Sequence, residues 1–297
     1  CIPLEKYDDG GDTDLIEIEV KKEGNSQKEG NIQEEEPQTI TVSAVGDIMV
    51  HSPQFESAYV GNGKYDFVPV FEEVKKLIVD SDLALCNLET TISTPERGYS
   101  GYPCFKTPEE LIPALKDAGF DVVTTANNHS LDGKEFGVVH TLEVLDKYGL
   151  EHTGTARDQL ESEKILIVER EGINLGILAY TYGTNGMEAA VDQDKLKYMV
   201  NYIKAGEIEE DIKRARQAGA DVIILCMHWG VEYDRDVGEE QKRLADKLFD
   251  AGADIILGSH PHVIQTMEKK IVSDTNGEDR EVFVAYSLGN FISNQRD

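Results

Sequence analysis

Carboxylate, amide and imidazole side chains recur in this sequence directly after short apolar, β-branched runs. The six that could ligate a metal ion are Asp47, Glu89, Asn128, His228, His260 and His262. A set that mixes carboxylate and amide oxygens with neutral imidazole nitrogens suits Zn, Mn or Fe, whereas Ca²⁺ prefers ligand shells made only of oxygen. The residue types therefore predict a site for divalent ions of Zn, Mn or Fe.

Each of these residues alone has an ordinary structural explanation. An Asp or Asn after a strand is more often a turn residue or a helix cap than a ligand. His228, beside Trp229, could be a half-buried imidazole with satisfied hydrogen bonds. His260 and His262 weigh more, because two imidazoles one residue apart on a loop can face the same pocket. The hypothesis of a metal site depends on five separate strand ends carrying such residues, a coincidence that packing alone does not predict.

The apolar runs predict buried strands at 40–46, 82–88, 121–126, 220–227, 253–258 and 281–288. Runs of this kind are typical of strands that are covered on both faces. Amphipathic stretches predict helices at 67–79, 107–119, 134–148, 207–218 and 239–251. Strand followed by helix, several times over, predicts an α/β fold with a largely parallel sheet. The carboxyl ends of such strands meet at one edge of the sheet, where ligands bind.

Two local patterns add detail to this fold. Thr107, followed by Pro108 and two glutamates, predicts the N-cap of the helix that closes at Gly119. The segment 164–180 has two apolar runs joined by Glu171-Gly172, which predicts a hairpin and hence an antiparallel element in a second sheet.

Charge excludes one class of partner. The chain of 297 residues has 29 basic and 57 acidic side chains and a formal net charge of −28. Such a protein repels phosphate backbones and anionic membrane surfaces, so we expect no nucleic-acid partner. No run approaches the ~18 consecutive apolar residues that a membrane-spanning helix needs.

The first 38 residues differ from the rest. Residues 1–40 contain twelve acidic side chains and four lysines, and few residues in this segment are aromatic. This composition predicts a disordered acidic tether at 1–38 and a folded domain at 39–297. An amino-terminal Cys1 before such a spacer is typical of a bacterial lipoprotein, lipidated at that thiol and anchored to the extracellular face of the cell membrane. The alternative is that the sequence simply begins at a cysteine.

The strand-end segments also resemble a known family. The segments are Gly46-Asp47-Ile48-Met49, Asn87-Leu88-Glu89-Thr90, 126–132 (ANNHSLD), His228-Trp229-Gly230, 258–262 (GSHPH) and 287–291 (SLGNF). Together they resemble the poly-γ-glutamate capsule biosynthesis CapA family, which is similar to the calcineurin-like metallophosphoesterases. The resemblance covers 39–297 and implies an α+β sandwich of two mixed β-sheets flanked by helices. It also implies more sequence after Asp297.

The resemblance implies a two-metal site and a role for each candidate. Asp47 and His262 would hold the first ion, and Glu89 would bridge both ions. The second ion would be held by Asn128, His228 and His260. Two divalent ions would activate a water molecule and hold two oxygens of the substrate.

His129 and Asp132 complete the implied site. His129 resembles the general acid that protonates the leaving group, and Asp132 would orient its ring. The pattern departs at Met49, where the phosphoesterases have a histidine, and a thioether is a poor ligand for such ions. His51 could replace the missing donor from a nearby turn.

Five residues are expected at the pocket rim: Tyr102, Phe105, Lys106, Trp229 and Tyr233. A lysine at the rim could meet an anionic substrate, although an ordinary solvated surface lysine is the commoner case.

Three functions are open at this point. The first is a cell-surface component of poly-γ-glutamate capsule synthesis, anchoring or export within a membrane-bound complex, acting on an anionic polymer as a metal-dependent hydrolase. The second is an extracellular metallophosphoesterase that acts on a small phosphoester. The third is a non-catalytic binding module with a degenerate metal site. Met49 favours the third, whereas His129 and the other ligands favour catalysis.

Overall fold

The computed structural model describes residues 16–22, 38–273 and 279–295. Its strands are β1 (Ile16–Lys22), β2 (Gln38–Ile48), β3 (Tyr59–Gly61), β4 (Lys64–Tyr65), β5 (Leu83–Leu88), β6 (Thr91–Ser93), β7 (Lys106–Pro108), β8 (Val122–Thr124), β9 (Glu151–Thr153), β10 (Leu166–Arg170), β11 (Ile173–Thr181), β12 (Val222–His228), β13 (Ile255–Ser259), β14 (Met267–Ser273), β15 (Asp279–Ala285) and β16 (Asn290–Ile292). Its α-helices are α1 (Ser52–Ser57), α2 (Glu72–Val79), α3 (Leu111–Ala118), α4 (Lys134–Tyr148), α5 (Gln159–Ser162), α6 (Gln193–Met199), α7 (Ala205–Gln217) and α8 (Glu239–Asp250).

Two mixed sheets contain most of these strands. The first has the order β1-β2-β5-β8-β9, with β16 also beside β2. Its strands run parallel except β1, which is antiparallel to β2. The second has the order β10-β11-β12-β13-β15-β14 and is parallel at its centre and antiparallel at both edges.

The two sheets pack face to face, and helices cover their outer faces. One buried cluster joins Val42 and Leu85 of the first sheet to Ile177, Ile224 and Leu257 of the second. Two further clusters join the outer faces to helices, α3 and α4 on the first sheet and α7 and α8 on the second. Burying a side chain such as Leu or Ile stabilises the fold by about 2 kcal/mol. The prediction of two mixed β-sheets flanked by helices is confirmed.

Both faces of the central strands are apolar because each face meets a different layer. On β5, Leu83 and Leu85 point towards the second sheet, whereas Ala84, Cys86 and Leu88 pack in the cluster of the first sheet's outer face. This arrangement explains why the strands appear in the sequence as continuous apolar runs. Among the described residues, no helix is long and apolar enough to cross a membrane.

The predicted helix start at Thr107 is wrong. Lys106–Pro108 is the short strand β7, which pairs in parallel with β6. The Thr107 hydroxyl lies 2.7 Å from that of Thr90, so it is not available to cap a helix. Helix α3 begins at Leu111 after Glu110, and it ends, as predicted, at Gly119, whose positive φ of 104° suits a glycine.

The predicted tether contains a strand. Residues 16–22 form β1 and pair with residues 38–44 of β2, although they lie in the segment that is predicted to be disordered. Their sequence, IEIEVKK, alternates apolar and charged residues with the period of a strand, a signal that the overall acidic composition hides. The prediction of disorder is therefore wrong for these residues, and residues 1–15 and 23–37 lie outside the described part of the chain.

Candidate metal centre

All six predicted ligands lie at the carboxyl ends of strands and are buried. Three come from the first sheet: Asp47 is the residue before the last one of β2, Glu89 follows β5, and Asn128 lies in the loop after β8. The other three come from the second sheet: His228 ends β12, and His260 and His262 follow β13. Because the two sheets face each other, their strand ends converge at one end of the sandwich.

A continuous series of short distances connects five of the six side chains, all except His260. His262 Nδ1 lies 3.3 Å from Asp47 Oδ2, and His262 Nε2 lies 3.8 Å from Glu89 Oε1. His228 Nε2 lies 3.8 Å from the same Glu89 oxygen and 2.9 Å from Asn128 Oδ1. The structure therefore brings residues from both sheets, up to 215 positions apart in the sequence (262 − 47), into one buried cluster.

Two overlapping groups of side chains could each hold an ion. In one group, ligand atoms of Glu89, His260 and His262 all lie within 4.8 Å of one another; in the other, the same holds for Asp47, Glu89 and His228. Glu89 is common to both, as expected of a bridging carboxylate. The groups join His262 with His260, whereas the resemblance implies that His262 shares an ion with Asp47.

Buried atoms without partners show that this cluster fits metal ions. Both carboxylate oxygens of Glu89 and Nδ1 of His260 are buried, and no described residue hydrogen-bonds to them. Leaving a buried charged group without a partner costs several kcal/mol. Divalent cations bound between carboxylate and imidazole donors would satisfy these atoms and offset that cost.

The two carboxyl groups differ in their pKa values. Burial would raise the pKa of Asp47, but the hydrogen bond with His262 and the charges of His228 and His262 outweigh it and lower that pKa to about 2. Burial and then the negative charge of Asp47 raise the pKa of Glu89 well above its usual value. Two carboxylates at such close range repel each other, and cations between them would remove this repulsion.

Two of the imidazoles are held in the neutral form. Burial lowers the pKa of His228 well below its usual value, and the neighbouring His260 adds to the effect. Burial and then the charge of His262 lower the pKa of His260 to about 4. A neutral imidazole keeps a lone pair for a metal ion, so both rings are ready to ligate at neutral pH.

Three polar residues orient the predicted ligands, although no functional role is predicted for them from the sequence. Asn87 Nδ2 donates to Asp47 Oδ1 at 2.7 Å. Ser259 Oγ lies 2.8 Å from His228 Nδ1, and Asn290 Oδ1 lies 2.9 Å from His262 Nδ1. In both histidines Nδ1 is thus occupied by an orienting residue and Nε2 faces Glu89, which is the usual way in which proteins fix a metal-binding histidine. His228 Nε2 also contacts Asn128 Oδ1, which belongs to another predicted ligand.

The backbone at two predicted ligands is strained. His260 has φ of 98° and His262 has φ of 59°, both in the left-handed region that favours glycine. Strain of this kind costs about 1–3 kcal/mol per residue and is concentrated at functional sites. The loop after β13 therefore retains two imidazoles at a cost in stability.

His129 and Asp132 form the predicted pair beside the cluster. His129 Nδ1 lies 2.7 Å from Asp132 Oδ2, and the same oxygen accepts a hydrogen bond from the backbone N–H of Phe105 at 2.5 Å. Burial raises the pKa of Asp132, although the His129 contact opposes the shift. Asp132 thereby fixes the His129 ring and leaves Nε2 as the nitrogen that can serve a substrate.

Neither Met49 nor His51 adds a ligand in this structure. Met49 is buried and brings only a thioether. His51 Nδ1 accepts a hydrogen bond from the backbone of Asn294 at 3.2 Å, and its ring packs edge-on against Phe105, 4.9 Å away between centroids. His51 belongs to neither group of candidate ligands, so the suggestion that it replaces the missing donor finds no support.

Two of the five predicted rim residues are not at the rim. Trp229 is 3% exposed, and its Nε1 donates to the backbone of Tyr286 in the outer core of the second sheet. Phe105 is fully buried and packs against His129, 4.7 Å away between centroids. Tyr102 and Tyr233 are exposed, as predicted, and Lys106 is half-buried.

Close backbone contact positions Asp47. Asp47 N donates to Gly289 O at 2.9 Å, and a Cβ added to Gly46 would lie 1.9 Å from that oxygen. We expect Gly46→Ala to lower the free energy of unfolding by about 3 kcal/mol, because β2 must move away from Gly289. Urea denaturation measures this change. Gly206→Ala is the control, since in the described part of the chain no atom outside its chain neighbours and its own helix backbone lies within 4 Å of the new Cβ. An equal loss of stability in both variants would contradict the argument.

The fold and the cluster together define a two-sheet α/β protein with a buried candidate site for divalent cations. The family described as "Bacterial capsule synthesis protein PGA_cap" matches residues 41–295, a range that contains all six candidate ligands. The chain therefore belongs to the PGA_cap family of bacterial capsule synthesis proteins.

Several curated proteins are similar in sequence. The capsule biosynthesis protein CapA of Bacillus anthracis is 28% identical over 269 residues, 89% of this chain and 62% of that protein. The PGA biosynthesis protein CapA of Bacillus subtilis (strain 168) is 30% identical over 261 residues, which are 86% of this chain and 64% of that protein. This chain thus spans less than two thirds of the length of these relatives.

Solved structures with similar folds are more distant. The calcineurin-like phosphoesterase YfkN from Bacillus subtilis superposes with a TM-score of 0.42 and 17% identity, over 75% of this chain and 71% of that chain. The sulfate thiohydrolase SoxB of Thermus thermophilus gives a TM-score of 0.41 and 14% identity, over 75% and 37%.

Proposed function

We propose that this chain takes part in polyglutamate-type capsule synthesis as a metal-dependent hydrolase with two divalent cations, Mn, Zn or Fe. The observation that carries the proposal is the position of Glu89, which is common to two groups of ligand-type side chains and whose oxygens accept no hydrogen bond from the described residues. The capsule role is supported by membership of the PGA_cap family and by relatives whose names refer to capsule or polyglutamate biosynthesis.

The residues of the chain divide the work of such a reaction. Two bound cations would supply an activated water molecule and hold two oxygens of an anionic substrate. Asp47 and Glu89 contribute negative charge, and the neutral imidazoles His228 and His260 complete the cation sites without adding charge. His129, oriented by Asp132, holds the proton that the leaving group takes.

The experiment that tests the proposal measures metal content and hydrolysis together. The protein is purified without chelator and assayed with Mn²⁺ or Zn²⁺ on p-nitrophenyl phosphate and on a γ-glutamyl amide. We expect about two ions per chain and hydrolysis of at least one substrate, lost on chelation and restored by metal. Phosphate release alone would favour the small-phosphoester alternative over a reaction on the polymer.

A non-catalytic binding module is the second candidate, and Met49 favours it, because it removes a donor from one ion site. Two bound ions without hydrolysis of any substrate would support that candidate and contradict the proposal. The lipid anchor through Cys1, the position at the extracellular face of the cell membrane and the membrane-bound synthesis complex remain predictions, since Cys1 lies outside the described residues.

A further inference from the structure

Two exposed tyrosines lie beside the candidate metal centre. Tyr182 is 49% exposed and follows β11 directly, at the same end of the second sheet as the ligands. Tyr233 is 55% exposed and lies in the loop between β12 and α8. One exposed aromatic ring is ordinary on a protein surface, but two beside one buried polar cluster indicate a binding surface.

Each tyrosine packs on a different histidine of the cluster. The centroid of the Tyr182 ring lies 4.6 Å from that of His260 and 6.3 Å from that of His228. The Tyr233 centroid lies 6.0 Å from that of His262. His260 and His262 are themselves neighbours, with centroids 5.8 Å apart. The two phenol rings therefore lie on neighbouring imidazoles of the same cluster.

The backbone of Tyr233 is strained although its side chain is exposed. Its φ is 63°, which is rare for a bulky residue, and its N–H donates to Pro261 O at 2.8 Å. Backbone strain of this kind is concentrated at functional and ligand-binding sites.

The charges of the loop that contains Tyr233 disfavour a polyanion. The loop 231–237 (VEYDRDV) has three acidic residues and one arginine, and all four of these side chains are exposed. Glu232 is close enough to act electrostatically on Tyr182 and on Glu89. A polymer with a carboxylate on every residue would meet this negative loop, whereas an uncharged ring would not.

We infer that Tyr182 and Tyr233 form an aromatic subsite that stacks on an uncharged ring, of a sugar or a nucleobase, attached to the anionic group that the metal centre binds. Phenol rings offer an apolar face and a polar hydroxyl, the combination that suits sugars and bases. The inference rests on the proposed function only in requiring that the centre holds divalent cations and an anionic group.

The test compares two non-hydrolysable probes on the Mn²⁺-loaded protein by calorimetry. We expect phenylphosphonate to bind about tenfold more tightly than methylphosphonate, because its phenyl ring can stack on the tyrosine rings. Tyr182→Ala and Tyr233→Ala should each remove most of this preference, whereas Tyr182→Phe and Tyr233→Phe should retain it. The matched control is Tyr59→Ala, since Tyr59 is also 50% exposed but packs on Tyr65 in the β3–β4 hairpin. Metal content is measured for every variant, so that loss of ions is not mistaken for loss of stacking.

Rates of hydrolysis then show whether the ring that the subsite binds belongs to a nucleobase or to a sugar. A higher kcat/KM for uridine monophosphate than for glucose 6-phosphate assigns the subsite to a base, and the reverse assigns it to a sugar. The inference is overturned when methylphosphonate binds as well as phenylphosphonate, when the alanine variants keep the preference, or when a short γ-glutamyl oligomer binds more tightly than phenylphosphonate. Selective phenylphosphonate binding without hydrolysis of any substrate would overturn the proposed function and leave the inference standing.

Discussion

Replacing Glu89 by Gln is expected to reduce the metal content of the purified protein from about two ions per chain to less than about half an ion. Glu89 is the carboxylate common to both groups of ligand atoms, so its loss weakens both ion sites at once. An amide has the same shape but carries no charge, and it is a poor bridge between two cations. Elemental analysis after gel filtration in metal-free buffer measures the change.

The stability of the same variant provides an independent readout. In the metal-free protein, Glu89 is a buried carboxylate without a hydrogen-bond partner among the described residues, so Glu89→Gln should leave the metal-free Tm unchanged or raise it. Added Mn²⁺ should raise the Tm of the original protein by mass action and leave that of the variant unchanged. Glu143→Gln is the control, because the Glu143 side chain is 60% exposed. Normal metal content in the Glu89→Gln protein would refute the bridging role.

The strand ends were predictable from the sequence because each is a local pattern. The prediction of a strand at 40–46 corresponds to β2, and that at 220–227 corresponds to β12. Helix α4 has the predicted bounds. The error at Thr107 has a different origin, since the tertiary contact with Thr90 decides the conformation and a local capping pattern cannot show it.

The orienting residues could not be predicted because they depend on how strands pair and how the two sheets face each other. Asn87 reaches Asp47 because β5 lies beside β2 with these two residues in register. Ser259 reaches His228 because β13 lies beside β12 in the same way. Contact between His228 and Asn128 further requires that the second sheet packs on the first. Among the residues that were not predicted, only Tyr182 had a usable local signal in the sequence. It directly follows a strand of the predicted hairpin, just as the predicted ligands follow their strands.

Replacing His129 by Ala is expected to lower kcat by about 10²- to 10³-fold while the metal content stays at its original value, as befits a general acid. His129 Nδ1 is occupied by Asp132, so Asp132→Asn should lower kcat less, by disturbing the ring that Asp132 orients. The control is His140→Gln on α4, whose ring stacks on Phe136. Loss of metal in step with activity would instead make His129 a ligand.

The dependence on the leaving group makes the test of His129 sharper. An alkoxide needs a proton as it departs, whereas p-nitrophenolate is stable without one, so only the first reaction depends strongly on a general acid. His129→Ala should therefore reduce kcat much more for an alkyl phosphate than for p-nitrophenyl phosphate, whereas Asp47→Asn, which weakens cation binding, should reduce both alike. Equal losses for the two substrates in the His129 variant would show that this imidazole, although held 2.7 Å from Asp132, does not supply the proton.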